Sequence, residues 1–178
     1  MSALDVAGAP AQTAKLVKPG DTVLIIGAGG KSGMLCCYEA KKRAGVTGKV
    51  IGLCHSQRST ERLQTFGFCD YVFSADATQP VPVMEKIAEL TNGEMCDITI
   101  NNVNITDTEM TSILCTKNDG LVYFFSMATS FTKAALGAEG VGSDVTMIVG
   151  NGYTKGHAEI TLQELRESEA LRKIFTEA

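Results

Sequence analysis

Val23-Leu24-Ile25-Ile26-Gly27-Ala28-Gly29-Gly30-Lys31-Ser32-Gly33 is a β-branched run that breaks into glycines and passes at once into the amphipathic stretch Met34 to Arg43. That order predicts a strand, a phosphate-binding loop and a helix N-terminus. Gly27 ends the strand and is free to take backbone angles closed to residues with a Cβ, while Gly29 and Gly30 let the main chain approach an anion closely. Lys31 and Ser32 open the helix, whose dipole places partial positive charge at the loop, and Gly33 lets that helix pack tightly on the strand. The spacing fits G-x-x-G-x-x-G through Gly27, Gly30 and Gly33; in the G-x-G-x-x-G reading the sixth position is Ser32. Both forms serve dinucleotides, so the expected cofactor is NADP or NAD.

A Walker loop is the competing phosphate binder. Gly30-Lys31-Ser32 matches its end, but its first glycine falls on Ile25, which argues against it. Lys31 then reads as a first-turn residue near the phosphates or as a solvated side chain.

Outward from this stretch the pattern repeats. Strands are expected at Thr22 to Ile26, Lys49 to Cys54, Tyr71 to Ser74, Asp97 to Asn101, Gly120 to Phe124 and Asp144 to Val149. They are apolar without clean alternation, as suits a parallel sheet buried on both faces. Helices are expected at Ala3 to Leu16, Lys31 to Ala44, Ser59 to Phe66, Pro82 to Thr91, Asp107 to Thr116 and His157 to Glu177. Glycines 137 to 142 and 150 to 152 read as turns. The alternation predicts an α/β Rossmann fold, doubly wound, with a mostly parallel six-stranded sheet in the order 3-2-1-4-5-6 and helices on both faces. In the last helix Ile160, Leu162, Leu165, Leu171 and Ile174 form a stripe expected to face the core, a partner-binding face being the alternative.

With 178 residues, 44% of them hydrophobic, the chain suits one NAD(P)-binding domain over residues 1–178, of which 1–20 are a leading helix and turn. Its net charge of −4 and dispersed basic residues argue against nucleic acid or an anionic membrane as partner. No membrane span or signal core is evident, so a cytoplasmic location is expected. The six cysteines form no C-x-x-C pair and, with only His55 and His157 besides, argue against a zinc site. They read as small buried hydrophobes.

Ligands of an open α/β sheet lie beyond the carboxyl ends of its strands. No acid follows the second strand to hold a ribose 2′-hydroxyl. His55, Ser56, Arg58 and Ser59 stand there instead, which suits a 2′-phosphate and favours NADP. In the alternative reading Ser56 and Ser59 only cap the next helix and Arg58 lies in solvent. Asp76 would lie beside the adenine, or only shape its turn. Asn101, Asn102 and Asn104 stand where a nicotinamide ribose would pass, though turn formation explains some of them, and main-chain groups of Ser126, Met127 and Gly150 to Tyr153 either hold the carboxamide or belong to ordinary loops. Catalytic residues are not identifiable: Tyr38 and Lys42 have short-chain dehydrogenase spacing but lie on the helix beneath the phosphate loop, and Tyr153 and Lys155 are wrongly spaced. The last strand, if at the sheet edge, would pair with its copy in a homodimer.

The run from Val17 to Gly30 resembles the entry to the coenzyme domain of the medium-chain dehydrogenases. Gly27 to Leu35 with Tyr38 to Arg43, Tyr123 to Gly140, and Gly150 to Tyr153 through Gly156 to Glu159 are similar to a branch acting on an amino acid in lysine fermentation. That resemblance implies oxidative deamination of a β-amino group, with hydride passing to the nicotinamide and a small amino acid as substrate. It also implies a separate catalytic domain that precedes the coenzyme domain in family members. It carries the phosphate contacts to Gly27 through Gly33, the 2′-phosphate contacts to His55 through Arg58, and nicotinamide-side contacts to Asn102, Asn104, Ser126 and Met127. The alternatives are a dinucleotide-binding regulatory module without catalysis, and a nucleotide- or coenzyme A-binding subunit.

Overall fold

The structure, a computed structural model, describes residues 3–176. Strands β1 (Thr22–Ile26), β2 (Lys49–Cys54), β3 (Tyr71–Ser74), β4 (Cys96–Asn101), β5 (Thr116–Phe124) and β6 (Val145–Val149) form one sheet in the order β3-β2-β1-β4-β5-β6. Every neighbouring pair is parallel. The expected Rossmann order is thus the observed one, and its switch point falls between β1 and β4.

A 3-10 turn at Ala3–Val6 precedes helices α1 (Gly8–Leu16), α2 (Lys31–Ala44), α3 (Gln57–Phe66), α4 (Pro80–Leu90), α5 (Glu109–Leu114), α6 (Phe131–Val141), α7 (His157–Glu167) and α8 (Glu169–Thr176). β1 shows how the strands are buried on both faces. Val23 and Ile25 join Met34, Leu35 and Cys37 of α2, together with Leu63 of α3 and Leu171 of α8, while Leu24 and Ile26 join Val83 and Ile87 of α4. Both faces are covered, which is why the strands carry continuous apolar runs. Burying each such side chain contributes about 1.5–3 kcal/mol.

Several boundaries differ from expectation. The region of Gly137 and Gly140 is helical in α6, because Ser130 caps its start by accepting from the Lys133 N–H at 3.3 Å and Gly142, in the left-handed conformation, ends it. The expected terminal helix is two helices. Ser168 adopts extended angles between them, and its Oγ accepts from the Leu171 N–H at 3.2 Å, so a serine inside the apolar stripe acts as a cap. Glu177, where that helix was expected to end, lies outside the described residues. The stripe is only partly core-facing: Leu171 is fully buried and Leu165 and Ile174 pack on the core, but Leu162 is 41% exposed. Thr161 and Glu164 take the inward positions of α7.

The helix expected from Asp107 to Thr116 shortens to α5, with Asp107 at positive φ before it and Thr116 already in β5. α3 begins two residues earlier than expected, capped by Ser56, and α4 begins at Pro80, whose fixed φ suits a first helical turn. All six cysteines are unpaired, and all but the half-buried Cys69 are buried. Among the described residues no helix is long and apolar enough to cross a membrane.

Candidate dinucleotide site

β1 ends at the centre of the sheet, and its continuation bends immediately. The amides of Gly27 and Ala28 both donate to the Leu53 carbonyl at 3.0 Å, which ties the bend to the end of β2. Gly27 has φ +80°, and a Cβ on it would lie 2.9 Å from Val103. The Gly30 N–H closes the turn onto the Gly27 carbonyl at 3.1 Å, and the Met34 N–H takes the Gly30 carbonyl as the first helical bond. The Gly29 N–H points to the Cys54 sulfur, and the amides of Lys31, Ser32 and Gly33 are left without an acceptor among the described residues. Three unused N–H groups at the head of a 14-residue helix, with the dipole of α2 behind them, are an arrangement able to receive an anion.

Gly27 and Gly33 meet the backbone demands expected of them, and Gly29 differs by making room for a neighbouring helix. Gly33 is held against β1: a Cβ there would stand 2.0 Å from the Gly27 carbonyl oxygen. Gly29 admits α3, since its Cβ would meet that of Ser59 at 2.7 Å. Gly30 is exposed, with nothing closer to its Cβ position than the Gly27 carbonyl at 3.5 Å, and so gives the open side of the loop. The Lys31 ammonium lies 5.7 Å from the centre of the Phe175 ring on α8. Ser32 is half-buried in the first turn of α2.

Beside the loop a small cleft opens between the ends of β1, β2, β3 and β4, lined by Gly27, Leu53, His55, Ala75, Val103 and Ile105 among others. Its walls are mostly apolar, as a flat heteroaromatic ring requires. Val103 and Ile105 were missed by sequence reasoning; the signal available was their position just past a strand end beside the switch point.

The remaining expected residues separate into those facing the crevice and those engaged in scaffolding. His55 and Arg58 are exposed at the end of β2, and Arg58 makes no hydrogen bond or ion pair with any described residue. Ser56 caps α3 by accepting from the Ser59 N–H at 3.2 Å, and the two hydroxyls lie 2.7 Å apart, so capping is what both serines are seen to do. Asp76 is exposed and accepts from the hydroxyl and the N–H of Thr78 at 2.6 and 2.9 Å, bonds that hold its carboxyl below the usual range. The turn reading of Asp76 therefore describes its observed bonds.

Past β4, Asn101 is fully buried and donates to Thr108 and Ser112, a scaffolding role. Asn102 turns inward: its Oδ1 accepts from the Cys36 thiol at 3.8 Å, and its buried Nδ2 has no partner. Burial pushes the Cys36 thiol up to about 12, so it is a donor here and not a nucleophile. Asn104 is exposed. Ser126 Oγ accepts from the Ala128 N–H at 3.1 Å in the turn after β5, which leaves Met127 92% exposed. Tyr38 and Lys42 both bond Glu167 of α7, at 3.0 and 2.9 Å, which accounts for that pair structurally. Among the described residues no group of three or more His, Cys, Asp or Glu side chains could hold a metal ion.

This fold, with a glycine bend at the switch point and free amides heading α2, is of the Rossmann type seen in the coenzyme-binding portions of alcohol dehydrogenases. The alcohol dehydrogenase of Thermus sp. ATN1 superposes with a TM-score of 0.69 over 96% of this chain and 48% of its own, at 22% identity. That of Aeropyrum pernix gives 0.72 over 92% and 45%, at 19% identity. No family model matches. By sequence, the chain is homologous to about half of two proteins named L-erythro-3,5-diaminohexanoate dehydrogenase. It is 66% identical to that of Acetoanaerobium sticklandii over 175 residues and 58% identical to that of Fusobacterium nucleatum over 177. These alignments cover 98% and 99% of this chain and 51% of each relative, so the chain spans about half the length of the curated relatives it matches.

Proposed function

We propose that this chain is the coenzyme-holding part of an NAD(P)-dependent amino acid dehydrogenase that oxidatively deaminates 3,5-diaminohexanoate to 5-amino-3-oxohexanoate in lysine degradation. The observation that carries this reading is the set of three acceptor-free amides, of Lys31, Ser32 and Gly33, between β1 and α2 at the switch point. Diphosphate oxygens fit them, and the adjoining apolar cleft fits an adenine. The homology to the two dehydrogenases supplies the substrate class.

When bound, the dinucleotide supplies the acceptor for a hydride from the carbon bearing the amine. The chain's own residues bind and orient. The Lys31, Ser32 and Gly33 amides fix the diphosphate, Leu53, Val103 and Ile105 exclude water from the adenine, and Asn104, Ser126 and Met127 border the path to the nicotinamide. Arg58, free and past the end of β2 where no acid stands, favours NADP over NAD because a guanidinium pairs with a 2′-phosphate. β6 lies at the sheet edge with Val149 exposed, which supports pairing with a second copy as a homodimer.

The test is a chimera in which this chain replaces the matching half of the A. sticklandii dehydrogenase. We expect reduction of NADP or NAD that depends on 3,5-diaminohexanoate. A folded chimera that binds dinucleotide yet reduces none with this substrate would contradict the substrate assignment.

A further inference from the structure

Helix α7 turns Glu164 into the protein with no exposed surface, and α2 brings Glu39, 1% exposed, to the same place. Arg43, one turn further along α2, donates its Nε–H to Glu39 Oε1 at 2.7 Å. Glu39 Oε2 and both carboxyl oxygens of Glu164 are buried without a donor, although the two carboxyl groups lie within hydrogen-bonding reach of one another. Two carboxylates in that arrangement would repel, and neither would recover its lost hydration. One proton removes both costs, because a carboxylic acid donates where a carboxylate can only accept. The guanidinium bond marks Glu39 as the acceptor of the pair.

We propose that Glu164 is carried as a neutral acid whose O–H donates to Glu39 Oε2, and that this buried proton fastens α7 onto α2. The groups around it leave the role to the proton. On α2, Lys42 is committed to Glu167 of α7, as is the Tyr38 hydroxyl. Arg43 lies with Lys15 of α1 and Lys155 around a separate open groove. Thr13 of α1 spends its hydroxyl on the Ala9 carbonyl at 2.8 Å, Thr161 of α7 adds a buried hydroxyl without a partner, and the 3-10 turn packed on α2 and α7 carries Asp5. Burial first, and Glu39 second, carry the Glu164 carboxyl up to about 10. Burial pushes Cys36 and Tyr38 each up to about 12, beyond the neutral range.

An unfolded glutamate releases its proton near pH ~4.3. Between that value and about 10 the folded chain holds a proton that the unfolded chain lacks. Stability from the latch is therefore complete at the acid end and is lost progressively as pH rises to the folded value. α2 also heads the phosphate loop, and α8 follows α7 to lay Phe175 beside Lys31, so the latch and the loop share one helix.

The experiment is thermal melting of the wild-type chain and of Glu164→Gln from about pH 5 to about pH 9. The wild-type melting temperature should fall as pH rises, and the slope should flatten in Glu164→Gln, whose amide N–H donates without titrating. Equal slopes, or a wild-type melting temperature raised by calcium or magnesium and lowered by a chelator, would overturn the proposal. Infrared spectroscopy of the wild type is a second measurement, needed should the variant not fold. A protonated-carboxyl carbonyl band present at neutral pH and bleached by alkali is expected, and its absence would overturn the proposal equally.

Discussion

A Cβ added at Gly33 would stand 2.0 Å from the carbonyl oxygen of Gly27, so the first turn of α2 rests directly on the end of β1. This contact holds the free amides at the head of α2 against the end of the strand. Gly33→Ala should force strand and helix apart at a cost of about 1–3 kcal/mol, typical of overpacking, and should weaken dinucleotide binding with it. Gly140→Ala is the control: its Cβ meets nothing within 4 Å in a helix, and it should stabilise the chain by about 0.5–1 kcal/mol without touching the ligand. Denaturant melts with and without NADP measure both.

Arg58 is exposed past the end of β2 and commits its guanidinium to no described residue. Arg58→Ala should weaken NADP by about 1.5–3 kcal/mol, the scale of a charge-assisted contact, and leave NAD nearly unchanged. Calorimetric titration of both cofactors reads the difference. Equal losses would show that Arg58 does not read the 2′-phosphate.

Ser56 spends its hydroxyl on the Ser59 N–H. Ser56→Ala should therefore cost about 1 kcal/mol of stability through the lost cap of α3. Its effect on NADP should match its effect on NAD. A selective loss of NADP would show that the serine leaves its cap to bind the phosphate.

The strands and their order were legible because each β-branched run is buried on both faces and followed by turn residues, as at Ile26-Gly27 and Asn101-Asn102. The glycine bend between β1 and α2 was legible because its glycines answer backbone demands, at Gly27 for positive φ and at Gly33 for close approach. α6 was not, since Gly137 and Gly140 hide a helix that is signalled only by its caps, Ser130 and Gly142. The inward face of α7 was not either: periodicity places Leu162 in the core, whereas the structure buries Glu164 there beside Glu39 of α2, 125 residues away. Local pattern carries no information about such a neighbour. The turn after β4 shows the same limit, because nothing in Asn101-Asn102-Val103-Asn104 distinguishes the scaffolding side chains of Asn101 and Asn102 from the exposed Asn104.

The central claim is that the amides of Lys31, Ser32 and Gly33 grip a dinucleotide diphosphate. Isothermal titration of this chain with NADP, NAD, ATP and coenzyme A tests it most directly. We predict saturable binding of NADP, with NAD next and ATP and coenzyme A weaker. Tight binding of ATP with no binding of either dinucleotide would contradict it.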